Sequence, residues 1–97
     1  MKTMTPHEAK MTYWTNEVVV ELDRAQKAFP PFNSNHEGYA VIKEELDELW
    51  GEVKRSDPWL STDAMRAEAI QLAAMALRFL YDRCVPDTQA RTPDNGD

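Results

Sequence analysis

Apolar side chains recur at steps of three and four in three stretches, and breaks containing proline separate them. In the first, Met11, Trp14, Val18, Leu22, Ala25 and Phe29 form one stripe at helical period. Thr5-Pro6-His7-Glu8 marks its start. Thr5 can cap, Pro6 fills the first turn where its missing N–H costs nothing, and Glu8 completes a capping box. The Val18-Val19-Val20 run favours strand locally, but Glu17, Glu21, Asp23 and Arg24 frame it and the stripe continues beyond. The pattern predicts a helix over 6–28, stopped by Pro30-Pro31.

Ser34, with Glu37 three residues on, opens a second helix over about 35–54, despite Gly38 and Gly51. At 100° per residue its side chains sort into arcs. Tyr39, Ile42, Leu46, Leu49, Trp50 and Val53 share an apolar arc; Glu37, Glu44, Glu45, Glu48 and Glu52 share the adjoining one. Lys43 and Asp47 lie on the third side. After a break at 56–60, where Asp57-Pro58 can start a short turn, a third helix is expected over about 62–83. Its centre, Ala69 to Leu77, is apolar on nearly all sides, the signature of a helix covered all round. Three helices of one chain hardly surround it. The expectation is therefore an all-α domain over 1–85, its helical bundle completed by oligomerisation as a homodimer or homotetramer. Pro86 to Asp97 holds no large apolar residue and reads as a disordered tail.

Composition narrows the function. The 97 residues carry 17 Asp and Glu against 11 Lys and Arg, a net charge of −6. That balance argues against gripping nucleic acid through phosphate neutralisation. The single cysteine, Cys84, excludes an intrachain disulfide and fits a reducing, cytoplasmic setting. No apolar run is long enough to span a membrane, and the first ten residues lack a signal-peptide core.

Five of the nine glutamates fall between Glu37 and Glu52, on one side of one helix. Like charges at i,i+4, such as Glu44 and Glu48, each cost a few tenths of a kcal/mol in an isolated helix. Two readings follow: a solvated acidic face, or a site for a hard divalent cation such as Mg²⁺ or Mn²⁺, which prefers oxygen ligands. Glu68, Gln71 and Arg78 stand out on the otherwise apolar third helix, because polar groups on a buried helix need partners.

Glu44-Glu45-Leu46-Asp47-Glu48 has the form E-E-x-x-E, and the next helix carries Glu68-Ala69-Ile70-Gln71. This pair resembles the signature of the MazG-like all-α nucleoside triphosphate pyrophosphohydrolase superfamily, E-E-x-x-E followed by E-x-x-D. The flanks, His36 to Lys43 and Ala73 to Ala76, are similar to short MazG-like proteins of bacteriophages and prophages. The likeness covers about 29–82. It implies hydrolysis of (d)NTPs to the monophosphate and pyrophosphate with Mg²⁺ or Mn²⁺, in the host cytoplasm if phage-encoded. It also implies Glu45, Glu48 and Glu68 as metal ligands, with Glu44 and Glu45 as the catalytic pair and Glu44 a further ligand or the base that deprotonates water. The sequence departs from the signature at its last acid, which is Gln71 here. An amide carbonyl can ligate Mg²⁺ but carries no charge and cannot act as a base.

The remaining candidates stand on residue type alone. Arg78 or Lys54 suits a phosphate clamp, or else a surface ion pair. Trp14 and Phe32 suit a base pocket by stacking, while Tyr39 and Trp50 suit a core. His36 suits a substrate contact or a simple helix start; His7 reads as surface and Cys84 as an inert thiol. Two functions are thus expected: a metal-dependent (d)NTP pyrophosphohydrolase, or a helical module that retains the fold for nucleotide binding or protein interaction. Gln71 favours the second, and the presence of all four glutamates the first.

Overall fold

The structure, a computed structural model, describes residues 3–55 and 58–84. Three helices account for nearly all of them: α1 over Pro6–Ala28, α2 over Asn35–Val53 and α3 over Pro58–Arg83. The fold is all-α, with no strand among the described residues. The expected tail over 86–97 lies outside them.

Capping explains the boundaries. The Thr5 hydroxyl accepts the Glu8 N–H at 3.0 Å, and the Glu8 carboxylate accepts the Thr5 N–H at 2.9 Å, so the box closes as expected. At α2 the Ser34 hydroxyl accepts the Glu37 N–H at 3.0 Å, but the Glu37 carboxylate accepts from Asn33 rather than from Ser34. The second box is thus displaced by one residue and ties down the loop. α2 ends at Val53, with Lys54 as its cap. α3 begins at Pro58, four residues before the expected Thr62: residues 58–60, read as part of a break, are helical, and a proline suits a first turn whose N–H has no helical acceptor.

α1 and α2 each pack on α3 and not on one another, so α3 is the central element. The buried apolar residues are few: Leu22 and Ala25 of α1, Phe32 of the connecting loop, and Ala74 and Met75 of α3. Val18, Val41, Ile42, Leu77 and Phe79 pack half-buried around them. Two expectations are corrected here. The α1 stripe is buried only in its middle; Met11, Trp14 and Phe29 stay substantially exposed, because α3 covers α1 over part of its length. The apolar arc of α2 is also split. Ile42 and Leu49 are half-buried, while Tyr39, Leu46, Trp50 and Val53 face outward.

The reason lies at Gly38. It is buried, and a Cβ there would sit 2.5 Å from the Phe79 ring and 3.1 Å from Phe32. The missing side chain lets α2 close onto α3 along its Gly38 line. This turns the seam between the apolar and acidic arcs, rather than the apolar centre, toward α3. Val41, Glu45 and Glu52 are half-buried as a result.

A salt-bridged staple fixes the loop between α1 and α2. The Asp82 carboxylate accepts the Phe32 N–H at 3.0 Å, Arg78 donates to the Pro30 carbonyl at 2.7 Å, and Arg83 donates to the Asn35 side chain at 2.8 Å. Asp82 also lies 3.6 Å from the Arg78 guanidinium, with both side chains about nine-tenths buried.

The two helical glycines of α2 separate packing from propensity. Gly38→Ala forces Phe79 to shift, an overpacking cost of about 1–3 kcal/mol that outweighs a propensity gain of up to about 1 kcal/mol. Gly51 has nothing within 4 Å of its absent Cβ, so Gly51→Ala should stabilise by up to about 1 kcal/mol. Urea unfolding followed by helix circular dichroism should therefore move the two midpoints in opposite directions.

Candidate metal centre and adjoining cavity

The rotation of α2 brings three carboxylates together. Glu45 and Glu48, three apart on α2, meet Glu68 of α3, and one oxygen from each lies within 4.8 Å of the others. Glu45 and Glu68 are half-buried and Glu48 is exposed. One oxygen of Glu45 and one of Glu68 are buried without a hydrogen-bond partner. Such an oxygen gives up solvation with no return, a cost of about 1–3 kcal/mol or more for a charged group. The cost is met either by a proton or by a cation.

Without a cation, protons respond. Burial, then the Glu48 charge and a hydrogen bond to it, then Glu68 and Glu44, push the Glu45 carboxyl up from 4.5 to about 7. Burial, then a hydrogen bond to Glu48 and the charges of Glu48 and Glu52, push Glu68 upward too. A divalent cation among them would oppose the repulsion between the carboxylates and compensate the solvation lost on burial.

A cavity of about 360 Å³ adjoins the cluster, and Glu45 is common to both. Its apolar wall includes Phe29, Pro30, Phe32, Val41 and Met75. Glu44 and Gln71 line it, so Glu44 borders the cavity beside the three-carboxylate cluster without joining it, and the Gln71 amide sits in the wall. Phe32 lines the cavity as well, but it is buried, its ring held 4.1 Å from the Arg78 guanidinium and 6.5 Å from Phe79.

Four candidates stand elsewhere or act otherwise. Arg78 borders the cavity, yet its guanidinium is committed to Pro30, Asp82 and the Phe32 face, so it shapes the wall rather than offering a free clamp. Lys54 is exposed and lies over the Trp50 ring at 5.6 Å, and it does not line the cavity. Trp14 belongs to a second groove, with Arg66 over its ring at 5.8 Å. His36 is an exposed first-turn residue of α2, and Cys84 is exposed just beyond α3.

Sequence reasoning missed Glu21 and Arg24. Both line the cavity from α1 and pair with each other at 2.6 Å. Their i,i+3 spacing across the buried Leu22 was the available signal, since a pair flanking the packed stripe sits at the edge of whatever that stripe covers. Arg24 is the cation at this rim with the fewest commitments: among the described residues it pairs with Glu21, and its side chain is more than half exposed.

Compared with models of known families, with curated proteins and with solved structures, the chain matches none. The functional reading rests on the geometry and on the residues that form it.

The carboxyl cluster carries a pH signature. Over the range between 4.5 and about 7 the folded chain retains a proton on Glu45 that the unfolded chain has released. The stability linked to that proton is full at the acid end and is lost as pH rises through about 7. Melting of the metal-free chain at pH 5 to 8 should show this loss, Glu45→Gln should remove much of it, and Mg²⁺ should offset it at the alkaline end.

Proposed function

We propose that the chain is a metal-dependent (d)NTP pyrophosphohydrolase that releases a nucleoside monophosphate and pyrophosphate. The observation carrying this reading is the convergence of Glu45, Glu48 and Glu68 from two helices, with an unpartnered buried oxygen on Glu45 and on Glu68, beside a cavity that Glu45 lines. The donor set fits a hard divalent cation: all oxygen, anionic, and otherwise costly to hold together. Glu45, Glu48 and Glu68 are the residues that would hold Mg²⁺ or Mn²⁺. Such an ion, when bound, offsets the triphosphate charge and makes water a stronger acid.

The chain's own residues supply the rest. Glu44 is exposed on the cavity wall, where it can accept a proton from the attacking water. That water adds across the α–β phosphoanhydride, and pyrophosphate departs as the leaving group. Arg24 is positioned at the rim to meet phosphate oxygens, a role that Arg78 is too committed to fill. The aromatic and proline wall around Phe29 and Phe32 offers an apolar surface for a nucleobase. Gln71, neutral in the wall, favours the alternative in which the chain binds a nucleotide without turning it over.

Pyrophosphate release from a panel of NTPs and dNTPs, with Mg²⁺, Mn²⁺ or EDTA, separates the two. The expected result is metal-dependent release that Glu48→Ala lowers at least about 100-fold, since loss of even an outer-shell partner costs 10–100-fold. No release by a folded chain that still binds nucleotide would establish the binding module instead. In the same assay Gln71→Asp should raise activity or Mg²⁺ affinity if the amide weakens the site, whereas a fall in both would show that the neutral side chain is needed there.

A further inference from the structure

Among the ion pairs of the described residues, Glu21–Arg24 differs from the rest. The Arg24 Nε donates to one Glu21 oxygen at 3.0 Å and Nη2 donates to the other at 2.6 Å, a bidentate fork within one helix. The other described pairs measure 2.9 Å to 3.6 Å. In the pairs of Lys27, Lys43 and Arg66 the carboxylate is 60 %, 65 % and 81 % exposed. Glu21 is only 18 % exposed, while Arg24 is 58 % exposed. The acid is thus the anchored member and the long cation is the one that reaches out. Leu22 and Ala25, which flank the pair on α1, are packed in the core, and both members of the pair line the cavity.

From this asymmetry we infer that Glu21 is a positioning residue, which holds the Arg24 guanidinium at the cavity rim so that an entering phosphate group meets an already ordered donor. The inference rests on the reading of the cavity as a (d)NTP site and adds the residue that orients its rim cation. The fork engages Nε and Nη2, so Nη1 stays outside it and is the donor left for a phosphate oxygen. Arg78, the other guanidinium lining the cavity, already donates to the Pro30 carbonyl and pairs with Asp82.

Two effects of Glu21 oppose each other. Its carboxylate carries the same sign as a phosphate, and removing a screened charge at an exposed rim tightens anion binding by up to about fivefold. Its grip spares the ligand the ordering of a long arginine, an effect of about tenfold or more in affinity. Ordering therefore outweighs repulsion. The neighbouring charges add to the need for it: Glu37, Glu44 and Glu45 also line the cavity, so an anion is accepted only where a cation is fixed to meet it.

Calorimetric titration of the full chain with inorganic tripolyphosphate in Mg²⁺ tests this apart from any turnover of nucleotide. Wild type is compared with Glu21→Gln, Glu21→Ala, Arg24→Ala and the double alanine variant. Alanine and glutamine both suit a helix interior, and helical circular dichroism verifies the fold of each. Glu21→Gln, whose carbonyl still accepts from the guanidinium, should stay within about threefold of wild type. Glu21→Ala should weaken binding about tenfold, and Arg24→Ala at least as much. The double variant should bind no more weakly than Arg24→Ala, because Glu21 acts through Arg24.

Additive losses in the double variant would overturn the inference. So would equal tightening in Glu21→Gln and Glu21→Ala, which would leave Glu21 as a repelling charge alone, and so would a wild type that binds no tripolyphosphate. Pyrophosphate release from nucleotides distinguishes this failure from that of the underlying reading. Turnover whose kcat/KM is the same in Glu21→Ala as in wild type sinks the inference and leaves the pyrophosphohydrolase standing. The expected binding pattern without turnover supports the inference and removes the pyrophosphohydrolase.

Discussion

The close approach of α2 to α3 at Gly38 is the constraint on which the rest depends. A side chain there would collide with Phe79. Its absence sets both the distance and the rotation of α2. With a bulkier contact, the apolar arc through Leu46 and Trp50 would be the natural face to bury, and the glutamates would point to water. As built, α2 meets α3 along the edge of that arc, so Glu45 and Glu52 are carried into partial burial against the Glu68 side of α3. One steric vacancy thus produces a strained acid cluster on one side of the helix pair and an open apolar face on the other.

The staple at the far end of α3 complements this arrangement. Arg78, Asp82 and Arg83 bind the Pro30–Asn35 loop through its backbone and Asn35 side chain. Buried ion pairs contribute little net stability, but breaking one strands a charge. The value of this one is geometric. It holds Phe32 under the Arg78 guanidinium and fixes the cavity wall beside Glu44 and Glu45. The cavity therefore has a floor on α3 and an exposed rim on α1 that carries Arg24.

Much of this was legible in the chain. Thr5, Pro6, Ser34 and the Pro30-Pro31 stop specify helix ends by local chemistry, and local chemistry is what a sequence displays. That Glu45 and Glu48 share a face was also readable, since i,i+3 spacing places them there; Glu68 joined them only through the resemblance of the two motifs, and the structure brings its oxygen within 4.8 Å of theirs. The rotation of α2 was not, because it depends on Gly38 meeting Phe79 across forty residues of chain. Arg78 misled for a related reason. A lone cation on an apolar helix suggests a ligand, and only the folded loop shows that the Pro30 carbonyl and Asp82 already occupy it. Trp14 and Phe32 looked equivalent as aromatic residues; the packing of α1 across α3 sends them to different grooves.

The central claim is that the half-buried carboxylates of α2 and α3 exist to hold a divalent cation. Crystals grown with Mn²⁺ and measured for its anomalous scattering test it most directly. The account predicts an anomalous peak bonded to oxygens of Glu45, Glu48 and Glu68 in every copy of the chain. Well-ordered side chains at those three positions with no anomalous peak among them, at Mn²⁺ concentrations that saturate ordinary hard-cation sites, would contradict it.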